Sequence, residues 1–244
     1  MSDKLETLRI DVRRQDGPGL PARWESYRRD ARALTTVADL LDALTREPKT
    51  ADGKRVAPIV WASACTFPLC GGCAMLINGV ADLACATPLS EAGKKGRITL
   101  APLSKFQVRR DLWVDRSRMA ADAAQLVAWH DPDVEPAGRV GGKRSALSRC
   151  TECGCCVEAC PETGAERPFV GAAALAAAYN AAQLAPSPTR TRALLTPGGI
   201  DDCGRAENCL NVCPEAIPLD EAIGACARDA SRLWWRSLLG REPY

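Results

Sequence analysis

The chain has 244 residues, a formal net charge of +2 and an ordinary globular composition, with 46% hydrophobic and 25% charged residues. This length allows one or two domains with a buried core, and the near-zero charge gives no electrostatic reason to expect nucleic acid as a partner. Thirteen cysteines stand beside a single histidine. An odd cysteine count in a long chain argues against a complete disulfide framework.

The first ten residues are charged and contain no apolar core of a secretion signal. We therefore expect the protein to stay in the cytosol, where thiols are kept reduced and clustered cysteines indicate metal or redox chemistry. No run of about 18 strongly apolar residues appears, so we expect no transmembrane segment in this chain.

The N-terminal part of the chain predicts a mixed sheet with a helix. Residues 8–12 alternate between apolar and charged side chains, as in a half-buried strand. Apolar residues at helical spacing follow at 37–44, after a capping box formed by Thr36 and Asp39. The Asn78-Gly79 pair predicts a hairpin between 74–77 and 80–83, and a further strand is expected at 98–100.

The character of the sequence changes near Ser117, where an Ala-rich helical stretch begins. The apolar patterns predict three helices in this part, at 117–129, 170–185 and 220–239. We therefore predict an α+β chain with a domain boundary at 115, giving domains 1–115 and 116–244. His130, the single histidine, is expected in a solvated loop.

The first cysteine group has the spacing C-x4-C-x2-C with a distant fourth member, and consists of Cys65, Cys70, Cys73 and Cys85. This is the plant-type ferredoxin spacing for a [2Fe–2S] cluster. Gly71 and Gly72 would let the backbone approach the cluster closely and adopt positive φ angles. A zinc site is the alternative, although structural zinc usually shows two C-x2–4-C pairs.

The second group fits the run C-x2-C-x2-C-x3-C-P of bacterial two-cluster ferredoxins, and consists of Cys150, Cys153, Cys156 and Cys160. In that run the fourth cysteine serves the other cluster. A third group repeats the frame with Ala206 in place of the middle cysteine, and consists of Cys203, Cys209 and Cys213.

If the fourth cysteine of each run binds the cluster of the other run (the crossing rule), these seven cysteines divide between two clusters. A [4Fe–4S] set is complete with Cys150, Cys153, Cys156 and Cys213. A [3Fe–4S] set remains, formed by Cys160, Cys203 and Cys209, and a cuboidal cluster with a non-cysteine fourth ligand is the alternative. Cys155 and Cys226 are left over, and we interpret them as small buried hydrophobic residues.

The order of the three groups, with Ala206 in the gap, resembles the iron–sulfur subunits of succinate dehydrogenase and fumarate reductase, and residues 102–115 resemble that family's interdomain linker. The resemblance implies an N-terminal β-grasp [2Fe–2S] ferredoxin domain followed by an all-α ferredoxin-like domain with [4Fe–4S] and [3Fe–4S] clusters. It also implies an electron-transfer role without catalytic residues, between an FAD-containing flavoprotein subunit and a membrane anchor, in respiration and the tricarboxylic acid cycle.

Two stretches depart from many members of that family. Many members have tryptophans soon after the Cys-Pro of the second group, where this chain has residues 161–164 without a tryptophan. They also have a histidine directly after the first cysteine of the third group, where this chain has Gly204. The sequences of residues 152–156 and 169–173 are closer to the family branch that is similar to menaquinone-linked enzymes. In that branch the membrane anchor is a single subunit that carries haem. We therefore expect a haem b-containing anchor that passes electrons to quinone, with menaquinone as the expected type. The chain would lie on the cytoplasmic side of the cell membrane as a peripheral protein.

Several alternatives remain open at this level. The same pattern would suit a fumarate reductase working in the opposite direction, a soluble relay for another flavoenzyme, or a zinc-stabilised interaction module. No glycine-rich loop for nucleotide phosphates is present in the sequence, so the FAD belongs to another subunit. The segment 233–236 mixes tryptophan with arginine, and it would lie at the membrane interface or cap the helical core.

Overall fold

The computed structural model describes residues 7–65, 67–126, 146–185 and 187–240. The chain forms two compact units, Met1–Arg116 and Ser117–Tyr244. The first combines strands with helices and the second is mainly helical, which confirms the α+β class. The predictions for 127–129 as helix and for His130 fall outside the described residues.

A five-stranded mixed sheet forms the centre of the first unit. Its strands lie in the order β2-β1-β5-β3-β4, with β1 and β5 parallel and the other neighbours antiparallel. They are β1 (Thr7–Arg14), β2 (Arg23–Asp30), β3 (Ala74–Ile77), β4 (Val80–Leu83) and β5 (Arg97–Ala101). The hairpin at Asn78-Gly79 is confirmed, and both of its turn residues have positive φ, as a tight hairpin turn requires.

The predicted helix of this unit is α1 (Val37–Arg46), and a four-residue helix α2 (Leu89–Ala92) follows later in the chain. The Thr36 hydroxyl accepts a hydrogen bond from the Asp39 backbone N–H at 3.1 Å, and the Asp39 carboxylate accepts one from the Thr36 backbone N–H at 2.9 Å. This reciprocal pair is the predicted capping box. The apolar face of α1 is fully buried, comprising Val37, Leu40, Leu41 and Leu44.

Two features of this unit differ from the sequence predictions. The segment interpreted as a linker, which the predicted boundary at 115 places in the first domain, contains a hairpin of β6 (Gln107–Arg110) and β7 (Trp113–Asp115) that the sequence patterns do not predict. Strand β2 is not apparent from periodicity, because Tyr27 is its only fully buried hydrophobic residue. Pairing with β1 rather than its own pattern makes this segment a strand.

A buried ion pair anchors the β6–β7 hairpin. Arg14 Nε lies 2.9 Å from Asp111 Oδ1, and the two side chains are 1% and 0% exposed. Asp111 also accepts hydrogen bonds from the backbone N–H groups of Gln15 at 3.1 Å and Val60 at 3.0 Å. The hairpin turn is therefore fixed both to the end of β1 and to the segment that leads into the first cysteine group.

Replacement of Asp111 by alanine is expected to destabilise the protein by roughly 3 kcal/mol, because the buried Arg14 guanidinium would lose one of its two carboxylate partners and keep only Glu25. Thermal or denaturant unfolding of the purified chain measures this. Asp16→Ala, which removes the carboxylate of the exposed Asp16–Arg23 pair, is the matched control and should change stability little. Equal effects of the two substitutions would contradict the role given to the buried pair.

The second unit is built on helices, with one short hairpin that the sequence does not predict. Its elements are α3 (Ser117–Gln125), α4 (Cys155–Ala159), β8 (Thr163–Gly164), β9 (Arg167–Pro168), α5 (Ala172–Leu184), α6 (Pro188–Ala193), a 3₁₀ turn (Ile200–Asp202), α7 (Asn208–Asn211) and α8 (Leu219–Leu238). Pro188 does more than end the preceding helix, because it occupies the first turn of α6 behind the cap Ser187. No helix among the described residues is long and apolar enough to cross a membrane.

Helices α5 and α8 meet in the core of this unit. Small alanines on α5 and the face of α8 that carries Cys226 and Ala230 pack together with Phe169 and Leu175. The other end of α8 is different, since Trp234 and Trp235 are 52% and 57% exposed. These two tryptophans therefore do not cap the helical core.

Candidate metal centres

The first cysteine group forms two close sulfur pairs. Cys65 Sγ lies 3.1 Å from Cys70 Sγ, and Cys73 Sγ lies 3.3 Å from Cys85 Sγ. Cys73 directly precedes β3 and Cys85 follows β4, so the hairpin returns the distant fourth cysteine to the loop. Two pairs of thiols are the arrangement that two iron ions with two thiolates each would need.

The two glycines of the loop have different roles. Gly71 has a φ of +64°, as expected from the sequence, whereas Gly72, for which a positive φ is also expected, does not have one. The Gly72 N–H points at Cys70 Sγ over 3.4 Å, and a Cβ atom at this position would lie 3.3 Å from the same sulfur. Gly72 thus allows the backbone to approach the thiol and to donate a hydrogen bond to it.

The thiols of this group ionise unequally. The hydrogen bond with Cys70 lowers the pKa of Cys65 to about 7, whereas burial raises the pKa of Cys85 to about 12. A bound metal favours the thiolate form and so replaces the protons of these groups. Loading of such a site therefore releases the proton that the buried sulfur of Cys85 holds at neutral pH.

The second and third groups adopt the same backbone conformation. Glu152 and Arg205 occupy corresponding positions and have φ angles of 51° and 53°. Gly154 and Glu207 also correspond, with φ angles of 87° and 57°, and each precedes the first residue of a short helix, α4 or α7. In this repeat Ala206 takes the place of Cys153.

Each of two cavities collects cysteines from both groups. A small cavity is lined by thiols of Cys150, Cys153, Cys156 and Cys213. A larger one of about 580 Å³ is lined by Cys160, Cys203 and Cys209, together with Ala206. The structure therefore brings together the two sets that the crossing rule predicts, and Ala206 lines the same cavity as the three cysteines of the second set.

Two hydrogen bonds join the cysteine groups to each other. Asn208 Nδ2 donates to the Ala159 carbonyl at 3.1 Å, which links the start of α7 to the end of α4. Arg149 Nη2 donates to the Glu215 carbonyl at 3.1 Å, beside Cys150 and Cys213. Sequence reasoning missed both residues, although each is adjacent to a cysteine of the motif.

The small cavity offers a polar group to a bound cofactor. Thr151 Oγ1 lines it, is buried, and has no hydrogen-bond partner among the described atoms. A sulfide ion would accept the hydrogen bond that this hydroxyl lacks, so the residues present fit an iron–sulfur cluster.

Burial affects the ionisation of the thiols in both cavities. It raises the pKa of Cys150 and Cys156 in the small cavity and of Cys209 in the larger one, so these thiolates need metal charge to be stable. Within the described part of the chain, no group of three or more His, Cys, Asp or Glu forms a site for a single metal ion.

The two remaining cysteines are core residues. Cys155 is fully buried at the start of α4, and Cys226 is 3% exposed. The Cys226 thiol lies 3.6 Å from the Leu175 carbonyl, and burial raises its pKa to about 12. Both residues are thus buried, as interpreted from the sequence.

Gly204 lies beside an acidic side chain in the lining of the larger cavity. A Cβ atom at this position would lie 2.8 Å from Glu162 Oε1, at the end of a side chain that can move. Glu162 is paired with Arg167 of β9. The two departures from the tryptophan- and histidine-bearing pattern are therefore neighbours in the structure.

Comparison with known proteins agrees with this division. Residues 9–121 match the model of a 2Fe-2S iron-sulfur cluster binding domain, and residues 146–217 match that of a 4Fe-4S dicluster domain. The fold resembles a chain of the Mycobacterium smegmatis Sdh1 complex in the apo form, with a TM-score of 0.74, 22% identity, and 93% of this chain and 96% of that chain covered.

Curated relatives are similar over long stretches. The succinate dehydrogenase iron–sulfur subunit of Bacillus subtilis is 32% identical over 254 residues, which cover 97% of this chain and 98% of that protein. The fumarate reductase iron–sulfur subunit of Wolinella succinogenes is 34% identical over 181 residues, covering 67% of this chain and 74% of that protein. The chain therefore belongs to the family of iron–sulfur subunits of succinate dehydrogenase and fumarate reductase.

Proposed function

We propose that this chain is the electron-transfer subunit of a succinate dehydrogenase and holds three clusters through eleven cysteines. The [2Fe–2S] ligands are the four thiols of the first group, and the [4Fe–4S] ligands are those of the small cavity. The [3Fe–4S] ligands are Cys160, Cys203 and Cys209. The observation that carries this proposal is the grouping of thiols from two separate motifs around each of two cavities.

A three-iron cluster in the larger cavity fits the donor set. Three thiols offer ligands to three metal corners, and the position that corresponds to Cys153 offers only the methyl of Ala206. When bound, the clusters supply one-electron carriers whose potentials depend on cluster type, charge and hydrogen bonding. The chain itself positions the thiolates; we propose no proton-transfer residue and no catalytic residue in it.

The surface supports a flavoprotein partner at the first cysteine group. Phe67 and Leu69 lie in the loop between Cys65 and Cys70 and are 67% and 74% exposed. Two large exposed apolar side chains close together in one loop suit a protein contact better than a solvated surface. We propose that this loop meets the FAD-containing subunit.

A membrane anchor fits the end of α8. Helix α8 contributes Ile223, Ala227 and Arg228 to the lining of the larger cavity, and its last turns expose Trp234 and Trp235. Tryptophan beside arginine suits the membrane interface. We propose that the chain binds there as a peripheral protein, on the cytoplasmic side of the membrane. Its partner would be an anchor subunit that contains haem b and reduces menaquinone. Glu162 and Gly204, in place of tryptophan and histidine, are consistent with a quinone site in the anchor rather than in this chain.

The opposite direction, fumarate reduction, would use the same residues, and the similarity to the Wolinella protein favours it as the second candidate. Cluster and quinone potentials decide between them, so turnover has to be measured both ways.

Purification of the native membrane complex tests the proposal. We expect a brown complex with a flavin-bearing large subunit and a haem-containing anchor. Iron and acid-labile sulfide should be present, and electron paramagnetic resonance should show [3Fe–4S] when oxidised and [2Fe–2S] when reduced. A colourless chain that carries zinc would overturn it in favour of the interaction module, and a complex without haem would overturn the anchor assignment.

A further inference from the structure

A charged side chain contacts the loop of the first cysteine group from outside the motif. Arg116 Nη1 donates a hydrogen bond of 2.5 Å to the carbonyl oxygen of Gly71. Gly71 is buried and Arg116 half-buried, so solvent screens the guanidinium charge less than it screens a fully exposed one. Arginine keeps its charge at every physiological pH.

The peptide unit that accepts this hydrogen bond also contacts a ligand sulfur. The Gly71 carbonyl and the Gly72 N–H belong to one peptide, and that N–H donates to Cys70 Sγ over 3.4 Å. Hydrogen bonds in a chain polarise one another, so a cation on the carbonyl side strengthens the N–H donor on the other side. The two contacts connect Arg116 to the thiol through a single planar group.

The fold holds Arg116 in this place. Arg116 directly follows β7, whose residue Val114 is 7% exposed. The hairpin is fixed at Asp111 through the buried Arg14 and through the Val60 N–H. Arg116 thus lies directly after a hairpin that is anchored by a buried ion pair.

We propose that Arg116 is a positioning residue that raises the reduction potential of the [2Fe–2S] cluster, an inference that rests on the proposed function of the first cysteine group. The reduced cluster carries one more negative charge than the oxidised one. Both the charge of Arg116 and the strengthened N–H···S hydrogen bond stabilise the reduced form more. Removal of the guanidinium therefore shifts the equilibrium toward the oxidised form.

A redox titration of the purified complex, followed by the [2Fe–2S] electron paramagnetic resonance signal, tests this. Arg116→Gln should lower the one-electron reduction constant about tenfold, which corresponds to 59 mV. Arg110→Gln removes the same charge from an exposed position of the same hairpin and should change the constant less than about twofold, since solvent and salt screen it. Arg116→Met keeps an unbranched side chain but has no hydrogen-bond donor, and it should lower the reduction constant as Arg116→Gln does. It replaces Arg116→Gln in the titration if that variant loses the cluster.

The outcomes separate the inference from the function on which it rests. A parent complex with a [2Fe–2S] signal and a variant that titrates like the parent would overturn the role of Arg116 alone. Loss of the cluster in both Arg116 variants would also overturn it, because Arg116 would then be needed for assembly rather than for potential. A parent without any [2Fe–2S] signal would overturn the proposed function as well.

Discussion

Cys160→Ser is expected to abolish the oxidised [3Fe–4S] signal and to lower quinone reduction by ~100-fold or more. Loss of a residue that only supports a metal ligand lowers metal affinity or activity about 10–100-fold, and Cys160 is itself proposed as one of the three ligands. Reduction of the flavin by succinate should persist, because the [2Fe–2S] thiols lie in the other unit. The measurement combines electron paramagnetic resonance with succinate:quinone and succinate:dye turnover.

Cys226→Ser is the matched control for this experiment. Cys226 is a buried cysteine of the same unit whose thiol contacts the Leu175 carbonyl, and it lies outside both cavity linings. The control variant should keep the cluster signal and quinone turnover. Full quinone turnover in Cys160→Ser without a [3Fe–4S] signal would show that electrons do not need this cluster, and the proposed role of the chain would be wrong.

Ala206→Cys is expected to convert the three-iron site into a [4Fe–4S] site. The repeat places residue 206 where Cys153 lies in the other motif, and the residue lines the cavity with the three thiols. A fourth thiolate there can bind the missing iron corner. The oxidised [3Fe–4S] signal should disappear, a new signal should appear on reduction, and the site should titrate at a different potential, since potential depends on cluster type.

Ala225→Cys adds a cysteine to α8 at a buried alanine outside the cavity lining, and it should leave the spectrum unchanged. If Ala206→Cys also leaves the spectrum unchanged, residue 206 does not face the open corner. The proposal of a three-iron site caused by the missing ligand would then fail. A change in both variants would point to nonspecific damage rather than to completion of the cluster.

Local sequence patterns predict much of this fold because they act over a few residues. The capping box of Thr36 and Asp39, the Asn78-Gly79 hairpin and the alternation in β1 each depend on neighbours in the chain, and the structure has all three. Strand β2 and the β6–β7 hairpin lack such a pattern. They are stabilised by pairing with β1 and by the buried Arg14–Asp111 contact, which joins residues far apart in sequence.

The sequence by itself determined the chemistry: the cysteine spacings indicate iron–sulfur ligation, because the distance between ligands along the chain limits which clusters they can surround. Only the tertiary structure decided which other groups approach those thiols. Arg116 reaches Gly71, Asn208 reaches Ala159, and Glu162 lies beside Gly204. These contacts join segments that are distant in the chain, so no local pattern records them, and they arise only when packing brings the segments together.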